Sequence, residues 1–418
     1  MAAIAGGGIA GMASALALAR SGWSVQVWER AAAFAEVGAG VQLGPNVTRV
    51  LRDWGLQDEL GSAGWQPTGL QARSAQTGAL LSRLDLHALS QRYGAPYVCI
   101  HRADLHALLA RAARAAGAQV HAGWRVTACE SAPDAVAWHA EPVTDAPGLP
   151  SDAAPSPVPP PLSPPAPSRT HADLGVVADG VWSRLRTQCL HDGAPHWSGH
   201  IAYRALMPLR DLPEACRRQE VTVWMGPQVH LVAYPVSAGE RLNVVCLVEP
   251  SGASDAPGPG WDGEPSAAQV QADLAQALRG ACPELRALVD ACTGWRLWPL
   301  YARAPMHGPQ AHAHGRIALV GDAAHPMLPY LAQGAGMAIE DAHVLARTVS
   351  VQRVNQVAAD VQAFAQARWP RNARVQQRAL RNGEIFHAQG LRRWGRDLGL
   401  RMLGAQLMDV PWLYGHRP

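Results

Sequence analysis

The sequence predicts an α/β protein: a parallel, helix-flanked sheet interleaved with a smaller antiparallel-sheet unit and followed by a helical C-terminal segment. Three stretches predict it. The chain opens on an apolar run, a glycine cluster, a small-residue helix and a second apolar run. Its middle carries three consecutive strand-like stretches parted by turns, and residues 355–385 form a charged, arginine-rich helical pattern.

In chain order, residues 2–5 (AAIA) read as a short buried strand ending in glycines. Ile9 to Arg20 reads as a helix stopped near Gly22, and Ser24 to Glu29 as a second strand. This strand–turn–helix–strand order begins a parallel sheet. His101 to Ala116 reads as an alanine-rich helix with a short strand at Gln119–His121 behind it. Residues 147–168 are proline-dense. Proline donates nothing to a ladder and the stretch has too little apolar surface to bury, so an exposed, poorly ordered loop is expected. A proline-rich ligand for some partner is the sharper alternative. Regular structure resumes at Gly175–Asp179. Residues 221–225, 229–236 and 241–249 read as antiparallel strands with turns at Gly226-Pro227 and Ala238-Gly239. A helix at about 265–279, a strand near Trp295–Tyr301 and a strand from Arg316 to Gly321 follow, and the tail reads as one more helix.

Composition excludes several classes. The 418 residues are 48% apolar and 17% charged with a net charge of +3 and no basic block, so no nucleic-acid partner is expected. All 36 basic residues are arginine, which rules out a Schiff-base, pyridoxal-phosphate or P-loop lysine. Seven scattered cysteines without a C-x-x-C pair indicate neither a disulfide framework nor a zinc cluster, and no metal is expected. A reducing cytoplasm fits them. The N-terminus lacks a signal peptide's basic region, and no apolar run approaches the roughly 18 residues of a membrane span, so no membrane partner is expected.

Gly6-Gly7-Gly8-Ile9-Ala10-Gly11 is a G-x-G-x-x-G between strand and helix. Gly6 permits the tight turn, Gly8 lets the backbone approach a pyrophosphate, and Gly11 packs the helix on the sheet. The helix N-terminus favours the phosphate charge. Glu29 ends the second strand, where an acidic side chain accepts from ribose hydroxyls, with Arg30 beside it. The motif implies a Rossmann-like dinucleotide site and leaves NAD and FAD open.

Residues 316–342 (RIALVGDAAHPMLPYLAQGAGMAIEDA) narrow that choice. A strand delivers Asp322, a proline-broken loop follows, and Gly334, Ala335 and Gly336 open a helix. Here the chain resembles the FAD-dependent aromatic hydroxylases, the single-component flavoprotein monooxygenases typified by p-hydroxybenzoate and salicylate hydroxylase. The resemblance implies that Asp322 binds the ribityl chain of FAD, that Pro329 walls the flavin ring, and that the helix at Gly334 and Ala335 lies beside it. A helix N-terminus there favours the anion left by flavin reduction. A helix-capping role for Asp322 is the plainer reading. Asp179-Gly180-Val181-Trp182-Ser183-Arg184-Leu185-Arg186 is similar to a family segment near the FAD pyrophosphate and the nicotinamide path. By the same resemblance Val41 and Gln42 contact the flavin through backbone, Arg102 reaches the FAD phosphate and ribose, and Val126 meets the adenine. The ending Trp412-Leu413-Tyr414-Gly415 resembles the salicylate and 3-hydroxybenzoate hydroxylase branch.

On strand 229–236, His230, Val232 and Tyr234 share a face. The end residues lie about 13 Å apart along the strand, enough for a ring between them. The spacing resembles that of 3-hydroxybenzoate and 6-hydroxynicotinate hydroxylases, which implies that His230 and Tyr234 are catalytic and meet the substrate phenol. A histidine suits phenol deprotonation. Ordinary sheet residues are the plainer reading. Some 3-hydroxybenzoate hydroxylases carry glutamine where this chain has Pro329. Arg204 is a candidate partner for an aromatic carboxylate, with a structural role as its alternative.

The resemblance implies an FAD-binding domain over residues 1–187, with a substrate-domain excursion near 65–100, and again over 301–350. A substrate domain covers 188–300 and a helical segment 351–418. It also implies NADH or NADPH as co-substrate, a small aromatic substrate, O2 activation through a flavin hydroperoxide, and a homodimer as one assembly. An FAD-dependent epoxidase or an oxidase or dehydrogenase on the same scaffold is the alternative activity. A nicotinamide-only dehydrogenase and a non-catalytic flavin-binding protein stand further off.

Overall fold

A computed structural model describes residues 1–34, 40–143, 169–250 and 266–418. The proline-dense stretch 147–168, and Gly38 and Ala39 ahead of the predicted flavin loop, lie outside the described residues.

The first sheet has six strands, ordered Ala313–His314, Ile317–Leu319, Leu174–Val177, Ala2–Ala5, Val25–Glu29 and Gln119–Ala122. All neighbours run parallel except the short edge strand Ala313–His314. Ala2–Ala5 is buried along its whole length, as a central strand covered on both faces must be. The helix Ile9–Arg20 packs between helices Arg102–Ala115 and Gly334–Thr348. Its alanines and glycine let three helices close over one face of the sheet.

The second sheet has seven strands, ordered Arg296–Ala302, His196–Pro208, Arg241–Val248, Val229–Val236, Val221–Gly226, Gly69–Ser74 and Leu80–Asp85. Only Val221–Gly226 and Gly69–Ser74 pair in parallel. The three central hairpin strands lie where the alternating pattern put them. The sequence reading did not resolve two smaller sheets. One joins Trp124–Ser131, Val136–Pro142 and Arg169–Ala172, and the other pairs Gly40–Leu43 with Val98–His101. The helix Val357–Phe386 spans thirty residues, and Gly390–Leu403 and Pro411–Tyr414 complete the helical C-terminal segment.

A buried charge network ties the C-terminal helices to the first sheet. Glu340 and Asp341, on helix Gly334–Thr348, have no exposed surface. Glu340 Oε2 lies 2.9 Å from the Arg368 guanidinium and 2.6 Å from that of Arg371, and Oε1 accepts from Asn46 Nδ2 at 2.8 Å. Asp341 accepts from Arg368 at 2.8 Å, Asn372 at 3.0 Å and the Gly321 amide at 3.2 Å, and it meets His325 Nε2 at 2.5 Å. Burial alone would raise both carboxyl pKa values. For Glu340, Arg368 and Arg371 outweigh it; for Asp341, His325 and Arg368 do, and both groups stay ionised. The network joins helix Pro45–Asp53, which carries Asn46, to the Gly321 turn and the long C-terminal helix.

Removing one partner strands a buried charge, which costs about 3–5 kcal/mol. Arg368→Ala is expected to lower the denaturant midpoint of the protein by a corresponding margin. Arg210→Ala, which breaks an exposed pair with Asp211, is expected to leave it nearly unchanged.

Candidate active site

The glycine turn has the shape of an anion cradle. Gly6 sits at φ +96°, where a Cβ would lie 2.3 Å from the Ala178 carbonyl oxygen. A Cβ on Gly11 would lie 1.9 Å from the Gly6 oxygen, so the helix starts in direct contact with the turn. Gly8 caps the helix in an extended conformation with no side-chain cap, so it claims none of the first-turn N–H groups. A Cβ on Gly8 would meet nothing within 4 Å, so the face above these donors is open. The Glu29 carboxylate accepts from the Gly7 amide at 2.6 Å and the Ala31 amide at 2.8 Å, which holds the turn. Arg30 beside it is exposed.

Next to this turn, Asp179 carries a buried Oδ1 with no hydrogen-bond partner. Burial raises its pKa, against the opposing hydrogen bond of Ser183. Ser183 also caps helix Arg184–Leu190, and Arg186 within it pairs with Asp192 at 2.6 Å. The second motif closes on the first, since a Cβ on Gly321 would lie 2.7 Å from that of Ala10. Asp322 stands exposed on this turn and caps no helix, as does Pro329 on the loop that follows. Ala332 takes a left-handed φ of +52°, a strained turn just before Gly334. Gly334 opens a fifteen-residue helix without a side-chain cap and has open space at its Cβ position, with Ala335 half-buried behind it.

These residues fit FAD. Two helix N-termini offer amides to anionic groups, Asp179 offers a buried acceptor without a partner, and Asp322 and Glu29 offer carboxylates to hydroxyls. Arg102 opens the helix Arg102–Ala115, and Val126 lies half-buried on the three-stranded sheet at a register shift.

The loop strand Gly40–Leu43 links this cradle to the second sheet. A Cβ on Gly40 would lie 2.5 Å from the Tyr234 ring, and the Gly40 amide donates to Asn243 Oδ1 at 2.7 Å. Gln42, following half-buried Val41, accepts from the Tyr97 hydroxyl at 2.7 Å and also bonds to Tyr234. Tyr234 is thus seated against the predicted flavin loop. His230 lies on the same sheet face, with its ring 5.0 Å from that of Tyr330, next to Pro329. Both His230 and Tyr234 are buried, with exposures of 2% and 4%. Burial, then His387 and His200, pushes the His230 pKa well below its usual value, and burial raises that of Tyr234. Each is therefore neutral at neutral pH.

Between them runs one half-exposed row in an otherwise buried face. Val223 pairs with Val232, Val232 with Val245, and Val245 with Arg204, so the four side chains share a face across four strands. All four are half-buried, whereas the flanking residues His230, Leu247, Tyr234 and Asn243 are buried. The row is an apolar floor ending in a guanidinium. Arg204 stacks 4.9 Å from the Trp298 ring centroid, and its buried Nε has no hydrogen-bond partner. Burial and then Arg102 lower its pKa to about 10, so it remains cationic.

A cluster with no motif in the sequence lies at the His230 end. His387, which ends the long C-terminal helix, meets His230 Nδ1 through Nε2 at 2.7 Å and Glu249 Oε1 through Nδ1 at 2.6 Å. His200 Nε2 meets the same oxygen at 3.2 Å. Among the described residues, two triads bring metal-type ligand atoms within 4.8 Å of one another: His200 with Glu249 and His387, and His312 with His325 and Asp341. Each contains direct nitrogen–oxygen contacts of 2.5–2.6 Å, so both read as hydrogen-bond networks rather than cages for an ion.

The family model described as FAD binding domain matches residues 1–379. The 3-hydroxybenzoate 6-hydroxylase of Polaromonas naphthalenivorans (strain CJ2) is 33% identical over 417 residues, covering 99% of this chain and 95% of that protein. The 6-hydroxynicotinate 3-monooxygenase of Bordetella bronchiseptica is 34% identical over 377 residues, covering 90% and 89%. Among solved structures, a salicylate hydroxylase substrate complex superposes with a TM-score of 0.77 at 23% identity, covering 99% of this chain and 95% of that one, a likeness of fold.

Open space at Gly8 gives a clean test of the cradle. Gly8→Val should leave thermal stability nearly unchanged yet weaken FAD binding at least about tenfold, or about 1.4 kcal/mol, as read by flavin fluorescence quenching. Equal losses of stability and FAD affinity would contradict it.

Proposed function

Because the chain belongs to the FAD binding domain family of flavin-dependent aromatic hydroxylases, we propose that it hydroxylates a small aromatic ring bearing a phenol and a carboxylate. One observation carries the substrate class: the half-exposed row Val223–Val232–Val245–Arg204, bracketed by His230 and Tyr234. A flat apolar ring matches the valines, and an acid matches a half-buried cation whose buried Nε has no hydrogen-bond partner.

In this reading residues 1–187 and 301–350 hold FAD and 188–300 hold the ring. Gly6, Gly8, Ala10 and Gly11 present the helix N-terminus to the pyrophosphate. Glu29, Arg30, Arg102 and Val126 serve the adenosine end, and Asp179 accepts a hydroxyl. Val41, Gln42, Asp322, Pro329, Gly334 and Ala335 hold the ribityl and ring end. Bound FAD supplies reduction by NADH or NADPH and the activation of O2. The chain supplies placement and proton transfer. Arg204 anchors the carboxylate at the far end of the row, which fixes which ring carbon is presented. His230, neutral because it is buried, takes the phenol proton on a ring nitrogen and so raises the ring's electron density. Tyr234 keeps its proton and donates to the phenol oxygen. The buried residues that flank the row, His230, Leu247, Tyr234 and Asn243, limit water around the bound ring. Seven free, buried cysteines suit a reducing cytoplasm.

The test is NADH and NADPH oxidation by FAD-loaded protein against salicylate, hydroxybenzoates and hydroxynicotinates, with oxygen uptake and product mass followed together. A ring acid should accelerate oxidation and gain one oxygen atom, or exchange its carboxyl for a hydroxyl. Arg204→Gln should raise KM for acids about 10–100-fold, the loss of a charged hydrogen bond, with little effect on phenols lacking a carboxylate. Oxidation unaffected by every acid, with only hydrogen peroxide formed, would contradict the reading.

A further inference from the structure

We propose that Glu249 and His387 form a proton relay behind His230, fixing which of its ring nitrogens is free and carrying the phenol proton out to solvent. This rests on the reading of His230 as the phenol base; Glu249 and His387 are positioning residues that act through it.

The geometry is a line of three groups running from the buried sheet face to the surface. His230 is 2% exposed, the His387 side chain 3%, and the Glu249 side chain 34%. The contacts along it are 2.7 Å and 2.6 Å. The backbone clamps the line. Gln228, in a left-handed turn at φ +56°, donates its amide to the His387 carbonyl at 3.3 Å and accepts from the Glu249 amide at 2.9 Å. The last carbonyls of the long helix, Ile385 and Phe386, accept from Arg396 at 3.1 and 2.8 Å, which fixes His387 at the helix end.

Hydrogen-bond accounting sets the tautomers. The hydrogen bond from His387 holds the Glu249 carboxyl below its usual range, so Glu249 is an ionised acceptor and His387 Nδ1 carries the proton. A neutral His387 then has a bare Nε2, which accepts from His230 Nδ1–H. That leaves His230 Nε2 with a lone pair. When Nε2 takes the phenol proton, the Nδ1 proton passes to His387 Nε2. The result is an imidazolium against the Glu249 carboxylate, which releases a proton to water. One proton enters at His230 and one leaves at the surface, and no electrons move. Among the described residues, His200 from strand His196–Pro208, the buried Tyr330 hydroxyl from the Pro329 loop, and Arg396 from helix Gly390–Leu403 are further titratable groups around this line. Of these, His200 lies on the same Glu249 oxygen and holds that carboxylate from a second side.

The experiment uses FAD-loaded protein, wild type, Glu249→Gln and His387→Asn, with thermal midpoints as a folding control. The first readout is ring-nitrogen NMR of 15N-histidine protein, assigned with His230→Asn. The relay predicts His230 and His387 both protonated on Nδ1, and a shift of the His230 nitrogens in Glu249→Gln, a residue His230 does not touch. Unchanged His230 signals in a folded Glu249→Gln would overturn it. The second readout is the ionisation of bound 4-hydroxy-3-nitrobenzoate, whose phenolate is coloured. Wild type should bind it with its ionisation moved down by about one pH unit or more, and Glu249→Gln should lose most of that shift, with the dissociation constant of the protonated phenol changed less than about threefold and that of the phenolate raised about tenfold. An identical shift in both proteins would overturn the relay. Failure of wild type to bind the probe would count against the substrate class instead, with the NMR readout still deciding the relay.

Discussion

Two carboxylates with no exposed surface, Glu340 and Asp341, sit at the point on which the rest of the molecule depends. Side by side on helix Gly334–Thr348, they compensate the buried guanidinium of Arg368. Around them gather Asn46, the Gly321 amide and His325 from the first-sheet side, and Arg371 and Asn372 from the long C-terminal helix. A charge placed this deep is tolerated only when every lone pair is met. The network therefore fixes one relative placement of the Gly321 turn, the Gly334 helix and the C-terminal segment. Arg371 continues it by donating to the Trp412 and Leu413 carbonyls, which draws the chain's end against the same helix.

That placement brings distant parts of the chain into contact. The Gly321 turn approaches Ala10 on the glycine-loop helix, Gly40 approaches Tyr234, and a Cβ on Gly383 of the long helix would lie 3.1 Å from the Tyr330 ring. At each point a missing Cβ lets backbone approach where any side chain would hold it off. The cofactor cradle, the loop strand Gly40–Leu43 and the second sheet are joined through these approaches. The long helix that carries Arg368 near its middle also delivers His387 at its end, so the charge network and the relay share one rigid element.

The glycine turn and the elements around Asp322 were legible in the sequence because each is local. Six consecutive residues make the glycine turn, and the strand, turn and helix around Asp322 follow one another without interruption. The hairpin strands of the second sheet were legible for the same reason. What was not legible depends on register and on distance along the chain. His387 meets residues 157 and 138 positions away, and nothing about a single histidine after an arginine-rich helix marks it. Arg204 could be placed on a strand, but its position at the end of the valine row follows only from the pairing of three further strands. The three-stranded sheet escaped because the alternation of Trp124–Ala128 is short and ends at the register shift between Val126 and Ala128, after which Cys129, Glu130 and Ser131 break the pattern.

The central claim is that one crevice serves both FAD and an aromatic acid, with the valine row as its floor. A crystal structure of the FAD-loaded protein with a bound hydroxybenzoate tests it most directly. The account predicts the ring over Val232 and Val245, its carboxylate on Arg204, its hydroxyl between His230 and Tyr234, and the flavin ring against Val41, Gln42 and Pro329. A ring bound away from this row, or a carboxylate held by another arginine with Arg204 still unpartnered, would contradict it.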